Sequence, residues 1–419
     1  MKKFSLAILC LVAAVSTAAA RQSASPAPAN AAARESTPDI RQNTFEKVWE
    51  IVRDRFFDPN FNGVDWNKVR ERYAPQVAAV KSDAELYDVL NRMVGELKVS
   101  HIEIVTPDVI EKLGAPPVTT GLGLRSVEGN VTVFRILTGS SAEREGVRPG
   151  FVVRRIDGAQ VSDLEAALGK LHGAPHTKVR VEFLDDRDAV REATLERMPL
   201  GAGEVDRAQL GSLSLYALFE SRRLEAGIGY IRFTTFIAAL NDKIRQAVET
   251  FHDAPGLVID LRGNGGGDDS VAIRLASMLF DKPTQLMITR TRKGDADYYR
   301  ARPTKNPYLA PVVILIDEGS GSASEQLTAG LQENGRAYVV GNRSAGDDMD
   351  ADLERLPTGA YFIYAAGEPR TPKGFVVEGH GVAPDLEVNL TRAGLLRGDD
   401  AQLSAAINYI RQKTSKGNH

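Results

Sequence analysis

Hydrophobic positions recur with two different periods along this chain, and the places where the period changes divide it. Phe45, Val48, Trp49, Val52 and Phe56 fall three and four residues apart, the spacing of one buried helix face. Similar patterning from Val69 to Val80 and from Asp83 to Leu97 predicts further helices, and hence an N-terminal helical domain over 41–110. In Val99-Ser100-His101-Ile102-Glu103-Ile104-Val105 the period shortens towards two, as in a strand. Over 117–200 alternation dominates, with Val131-Thr132-Val133-Phe134 and Val179-Arg180-Val181-Glu182-Phe183 reading as half-buried strands. A polar connection follows, over about 200–226. Strands are then expected at Ile228–Phe233, Leu257–Leu261, Pro311–Ile316 and Ala337–Val340. Helices are expected at Leu240–Phe251, Val271–Phe280 and Glu325–Glu333, the last stopped by Asn334-Gly335. Such alternation implies parallel βαβ units, so an α/β core is expected over 226–395, with 396–419 left as a C-terminal helix and tail.

The first residues change the picture. Lys2 and Lys3 precede an apolar run from Phe4 to Val15, which ends in Ser16-Thr17-Ala18-Ala19-Ala20. That order describes a secretory signal peptide over 1–20, so an exported protein, periplasmic or extracellular, is expected. Residues 21–40, rich in Ala, Ser and Pro, read as a disordered linker. No later segment is apolar enough to span a membrane. The single cysteine, Cys10, lies inside the signal, so the remainder has no thiol and a hydrolytic nucleophile would be an oxygen. A net charge of -3 predicts no attraction to nucleic acid. No His, Asp and Glu cluster has metal-ligand spacing, and no cofactor is expected.

Two strand-to-helix junctions of the α/β core could carry chemistry, because helix N-termini offer unpaired N–H groups there. One is Asp260-Leu261-Arg262-Gly263-Asn264-Gly265-Gly266-Gly267; the other is Gly319-Ser320-Gly321-Ser322-Ala323-Ser324-Glu325. Taken singly, glycine loops make turns and serines cap helices. Neither junction has the Gly-Lys-Ser or Gly-Lys-Thr ending of a phosphate loop, and Gly319–Ala323 is not a Gly-x-Ser-x-Gly elbow.

Taken in order, Val258-Ile259-Asp260-Leu261-Arg262-Gly263-Asn264-Gly265-Gly266, Gly321-Ser322-Ala323-Ser324-Glu325 and Gly381-Val382-Ala383-Pro384-Asp385 resemble the carboxyl-terminal processing (tail-specific) proteases. Gly121-Leu122-Gly123-Leu124 is similar to the carboxylate-binding loop of PDZ domains. Ser141 to Gly150 and Ile156-Asp157-Gly158 resemble the PDZ core, with Phe151 where an Asp is usual. The resemblance implies a ClpP/crotonase-like α/β protease core with an inserted PDZ domain that binds substrate through Gly121, Leu122, Gly123 and Leu124. It also implies Ser322 as nucleophile and an oxyanion hole from the N–H groups of Ala323 and Gly265.

The base is read from a departure. The lysine of the family's bacterial and chloroplast branch falls on Asp347, whose unperturbed pKa of about 4 does not suit a neutral lysine's work. The tricorn core protease branch uses a Ser-His-Ser-Glu tetrad, and Ser100, His101 and Glu378 stand at its positions beside Ser322. His101 is then the base and Glu378 polarises the relay through Ser100. His380, two residues from Glu378, and Lys373 remain as rivals. Asp260 and Arg262 are expected to anchor the glycine loop. The resulting expectation is a serine endopeptidase acting on peptides or unfolded proteins, with no oligomeric state implied. A non-catalytic PDZ peptide-binding protein and a crotonase-like acyl-transfer enzyme stand as alternatives.

Overall fold

The computed structural model describes residues 35–416 except 116, 202–204, 211–212 and 297–298. The expected signal peptide and most of the expected linker lie outside the described residues. The first helix, Pro38–Arg55, begins inside the expected linker, because the Thr37 side chain accepts from the Ile40 N–H and proline suits a first helical turn. It packs with Trp66–Ala79 and Asp83–Val94, as the helical spacing predicts. Their core is not self-contained. Phe45, Val52, Leu90 and Leu97 share one cluster with Met349, Phe362, Tyr364 and Ala365 from far along the chain. The strand expected from Val99 shrinks to Glu103–Val105, which pairs antiparallel with Tyr361–Ile363. Ser100 and His101 precede it, and His101 takes a left-handed φ of 52°.

The segment from Val118 to Pro199 forms a unit inserted through one neck. Its ends pair with each other, Val118 with Pro199 and Thr119 with Met198. Inside is an antiparallel sheet with the helices Ser141–Arg144 and Leu164–Leu171 and a core of its own around Val133, Phe151, Val181 and Phe183. Leu122–Val127 lies at the edge of that sheet.

The expected α/β core centres on a six-stranded sheet. Gly229–Phe233, Leu257–Asp260, Val312–Ile316, Ala337–Gly341 and Leu386–Glu387 run parallel in that spatial order, and Phe219–Arg223 joins antiparallel at the edge. Alternate residues face opposite ways, so the central strands, buried along nearly their whole length, need cover on both faces. Ile231, Ile259, Ile314 and Val339 face Leu240, Ile244, Leu275 and Leu327 on the helical side. Tyr230, Val258, Val313 and Leu315 face Ala406, Ile407 and Ile410 of the expected C-terminal helix, Ala401–Lys416, which is a layer of the core. Two further differences concern strands. The polar connection contains the pair Asp206–Leu210 and Leu213–Ala217 as well as the edge strand. A second sheet brings Glu103–Val105, Tyr361–Arg370, Ile288–Thr291, Gly294–Ala296 and Asp350–Arg355 together.

Candidate active site

Three serines crowd the loop that opens the helix Ala323–Glu333, and their hydroxyls have different fates. Ser320 Oγ donates to the Leu261 carbonyl at 2.9 Å and accepts from the Asp317 N–H at 3.0 Å. Ser324 Oγ donates to the Asn264 carbonyl at 2.7 Å. Both tie this loop to the glycine loop. Ser322 Oγ is buried and has no partner among the described residues. Ser322 also sits at φ 50°, ψ -123°, a region that costs a non-glycine residue about 1–3 kcal/mol and recurs at functional sites. Its backbone is held in place by the Ser322 N–H, which donates to the Asp347 carbonyl at 2.9 Å and lies 3.2 Å from Glu325 Oε2.

Ser100, His101 and Glu378, separated by 278 residues of sequence, form one hydrogen-bonded chain. Ser100 Oγ donates to Glu378 Oε2 at 2.8 Å and lies 2.8 Å from His101 Nδ1. With the hydroxyl proton directed to the carboxylate, Ser100 accepts from Nδ1–H, which leaves Nε2 as the lone-pair nitrogen of a neutral imidazole. His101 Nε2 is buried without a partner among the described residues. Burial pushes the His101 pKa down to about 4, which favours the neutral ring. Glu378 is fixed by the Ser100 N–H at 2.6 Å and the Asp348 N–H at 2.7 Å, while burial raises its pKa.

The glycine loop closes against Ser322. A Cβ on Gly266 would lie 2.7 Å from Ser322 Cβ, and the residue has φ 107°, so only glycine fits. The Gly266 N–H is taken by Asn264 Oδ1 at 2.9 Å, whereas the Gly265 and Ala323 N–H groups donate to no group among the described residues. Behind the loop, Arg262 Nη2 meets Asp260 Oδ2 at 2.7 Å and Asp400 Oδ2 at 2.9 Å. Burial alone would raise the Asp260 pKa, but Arg262 and Arg232 hold it well below the usual carboxylate range. This is the anchoring expected of Asp260 and Arg262. Asp317 Oδ1 accepts from the Gly263 and Gly319 N–H groups at 2.7 and 3.0 Å, and Arg125 of the inserted unit pairs with the same carboxylate at 2.6 Å.

The rivals lie elsewhere. His380 is exposed, with Nδ1 2.9 Å from the Glu378 carbonyl and outside the relay, and Lys373 is exposed too. Leu122, Gly123 and Leu124 start the edge strand of the inserted unit and Gly121 directly precedes it, apart from the Ser100–His101–Glu378 chain. Sequence reasoning missed Glu325. Its carboxylate accepts from Ser344 Oγ, from the Gly346 and Asp347 N–H groups at 2.7 and 3.1 Å, and from Ser322. The signal was its place in Ser-Ala-Ser-Glu, which said nothing of these partners.

The chain is similar to known peptidases. Residues 227–388 match the model of peptidase family S41, and residues 38–95 match the tricorn protease C1 domain. The carboxyl-terminal-processing protease of Synechocystis sp. is 29% identical over 88% of this chain and 86% of its own length. Tricorn protease homolog 1 of Streptomyces coelicolor is 29% identical over 87% of this chain but only 34% of its own. The structure of the photosystem II D1 C-terminal processing protease is 26% identical, with a TM-score of 0.58 over 86% of this chain and 98% of that one. Because the family match spans both the Ser322 loop and Glu378, and the similarity to carboxyl-terminal processing proteases runs through most of the chain, residues 227–388 form a peptidase family S41 domain and the protein is a serine-type peptidase.

Proposed function

We propose that Ser322 is the nucleophile of this peptidase, that His101 is its general base, and that Ser100 and Glu378 orient and polarise the histidine. The observation that carries this reading is the Ser100 hydroxyl placed 2.8 Å from both His101 Nδ1 and Glu378 Oε2, which leaves Nε2 to accept a proton. In the reaction Nε2 takes the Ser322 proton as Oγ attacks the substrate carbonyl. The positive charge that develops on the ring is balanced through Ser100 by Glu378, and His101 then protonates the leaving amine. Water repeats the sequence to release the acyl group. The Gly265 and Ala323 N–H groups donate to the oxyanion in both steps. Serine peptidase chemistry sets aside the non-catalytic and thioester alternatives.

The unit over 118–199 acts as a PDZ-type module. Its edge strand Leu122–Val127 can pair with an extended peptide, which suits capture of peptides or unfolded chains. The N-terminal pattern supports export, and no described helix is long and apolar enough to cross a membrane. The test is proteolysis of an unfolded casein-like substrate by the wild-type protein and by Ser322→Ala, His101→Ala and His380→Ala. Activity should vanish with the first two and persist in the third. Loss with His380→Ala but not His101→Ala would move the base and refute the relay.

A further inference from the structure

An oxyanion hole needs its donors held at a fixed spacing, yet Gly265 and Ala323 stand on two loops far apart in sequence. One residue spans the gap. Asn264 is fully buried, and its Nδ2 donates to the Phe233 carbonyl at 3.0 Å, where the strand Gly229–Phe233 ends. Its Oδ1 accepts from the Gly266 N–H at 2.9 Å. Its backbone carbonyl reaches the other loop, accepting from the Gly321 N–H at 3.1 Å and from Ser324 Oγ at 2.7 Å. Gly321 and Ser324 bracket Ser322 and Ala323, just as Asn264 and Gly266 bracket Gly265. The surrounding N–H groups of the glycine loop are already committed. That of Gly263 goes to Asp317 Oδ1 at 2.7 Å and that of Asn264 to the Leu261 carbonyl at 3.0 Å. The Gly266 carbonyl in turn accepts from the Phe236 N–H at 2.8 Å. Gly265 is thus held between two pinned neighbours, with its own N–H donating to no group among the described residues.

We infer that Asn264 is a positioning residue of the oxyanion hole: its amide folds the glycine loop so that the Gly265 N–H is left free, and its carbonyl fixes that donor relative to the Ala323 N–H. The task requires a short side chain with a donor and an acceptor on one planar carbon, since an acceptor faces it at Phe233 and a donor at Gly266. Asparagine makes the bond to the N–H two residues on without strain. Fully buried, Asn264 acts through these backbone donors and not on the substrate.

The inference rests on Ser322 as nucleophile and on Gly265 and Ala323 as the oxyanion donors, and it fails separately from them. Asn264→Ala orphans the Gly266 N–H and the Phe233 carbonyl. For a quenched peptide kcat should fall about 10²–10³-fold, the loss expected when one oxyanion donor is misplaced, while KM stays within about threefold. A peptide boronic acid forms a tetrahedral adduct with Ser322 and should bind more weakly by the same factor. The matching peptide amide, measured on the Ser322→Ala background, should bind as before. Retention of more than about a third of the wild-type kcat, or equal weakening of both ligands as a packing role would give, overturns the inference. Asn264→Asp is nearly isosteric and decides the question should the alanine variant not fold. Protonated, its carboxyl donates to Phe233 and accepts from Gly266; ionised, it only accepts. Its kcat relative to the wild type should therefore fall as pH rises from about 5 to about 9, the range in which a buried carboxyl titrates, and a level ratio overturns the inference. Fluorophosphonate labelling of Ser322 alongside an unimpaired Asn264→Ala removes the positioning role alone, whereas cleavage that survives in Ser322→Ala removes the nucleophile beneath it.

Discussion

Replacing Ser100 by alanine removes one oxygen and should disable the relay without emptying it. Among the described residues the hydroxyl is the sole link between His101 Nδ1 and Glu378 Oε2, 2.8 Å from each. Glu378 keeps the Ser100 and Asp348 N–H groups at 2.6 and 2.7 Å, so the carboxylate stays in place. His101 loses the acceptor that fixes its tautomer and faces the charge forming on it during attack. A hydrogen bond to a charged group contributes about 1.5–3 kcal/mol. At about 1.4 kcal/mol per factor of ten, kcat should fall by roughly 10- to 150-fold. Because the interaction strengthens only as the imidazolium forms, KM should hardly move. The assay is steady-state cleavage of a quenched peptide, with the rate of fluorophosphonate labelling of Ser322 as a second readout of nucleophilicity. Labelling should slow in step with kcat while the melting temperature stays within a few degrees, on the order expected for a change below 1 kcal/mol. Retention of more than half the wild-type kcat, or a loss confined to KM, would refute the relay.

Three further outcomes follow from the same geometry. Since burial lowers the His101 pKa from 6.5 to about 4, the acid limb of kcat/KM should fall well below pH 6.5, and a midpoint at or above 6.5 in a pH profile would contradict a buried base. For stability the sign is the same: the folded state resists protonating His101, so that contribution is present above 6.5 and is lost as pH falls towards 4. Arg262→Ala leaves Asp260, fully buried, with Arg232 at 3.1 Å as its remaining cationic partner among the described residues, beside the neutral Tyr230 hydroxyl at 2.8 Å, and chemical denaturation should show a loss of about 3–5 kcal/mol. Gly266→Ala puts a methyl 2.7 Å from Ser322 Cβ and 2.9 Å from the Gly321 carbonyl at φ 107°; peptide cleavage and fluorophosphonate labelling should both be abolished, and wild-type rates would show that the loop yields.

The parallel strands were legible because a strand covered on both faces is a short apolar run, as in Leu257-Val258-Ile259, and turn residues bracket it. The second sheet was not. Ile288–Thr291 and Asp350–Arg355 carry charges, and Thr289 and Asp350 are buried through each other at 2.9 Å, a pairing that no local pattern announces. The alternation around His101 predicts a strand because period two says nothing about a left-handed residue. At the site, family resemblance singled out Ser322, but only the hydrogen bonds explain why Ser320 and Ser324 are excluded. Glu325 stood in the quoted motif without a role, since three of its four donors come from 344–347, beyond the reach of local spacing. The C-terminal helix is legible in the same way, since Leu403, Ala406, Ile407 and Ile410 spell one apolar face, whereas the layer they cover is set by distant strands.

The sequence separation of 278 between Ser100 and Glu378 has a consequence for synthesis. Contacts this distant in sequence form late, after the loop between them is made and closed. The first helices cannot finish their core until Phe362 and Tyr364 arrive, and the histidine cannot be oriented until the chain has passed 378. A nascent or truncated chain therefore carries a serine and a histidine with no working connection. The enzyme becomes dangerous to neighbouring unfolded polypeptides only when it has itself ceased to be one.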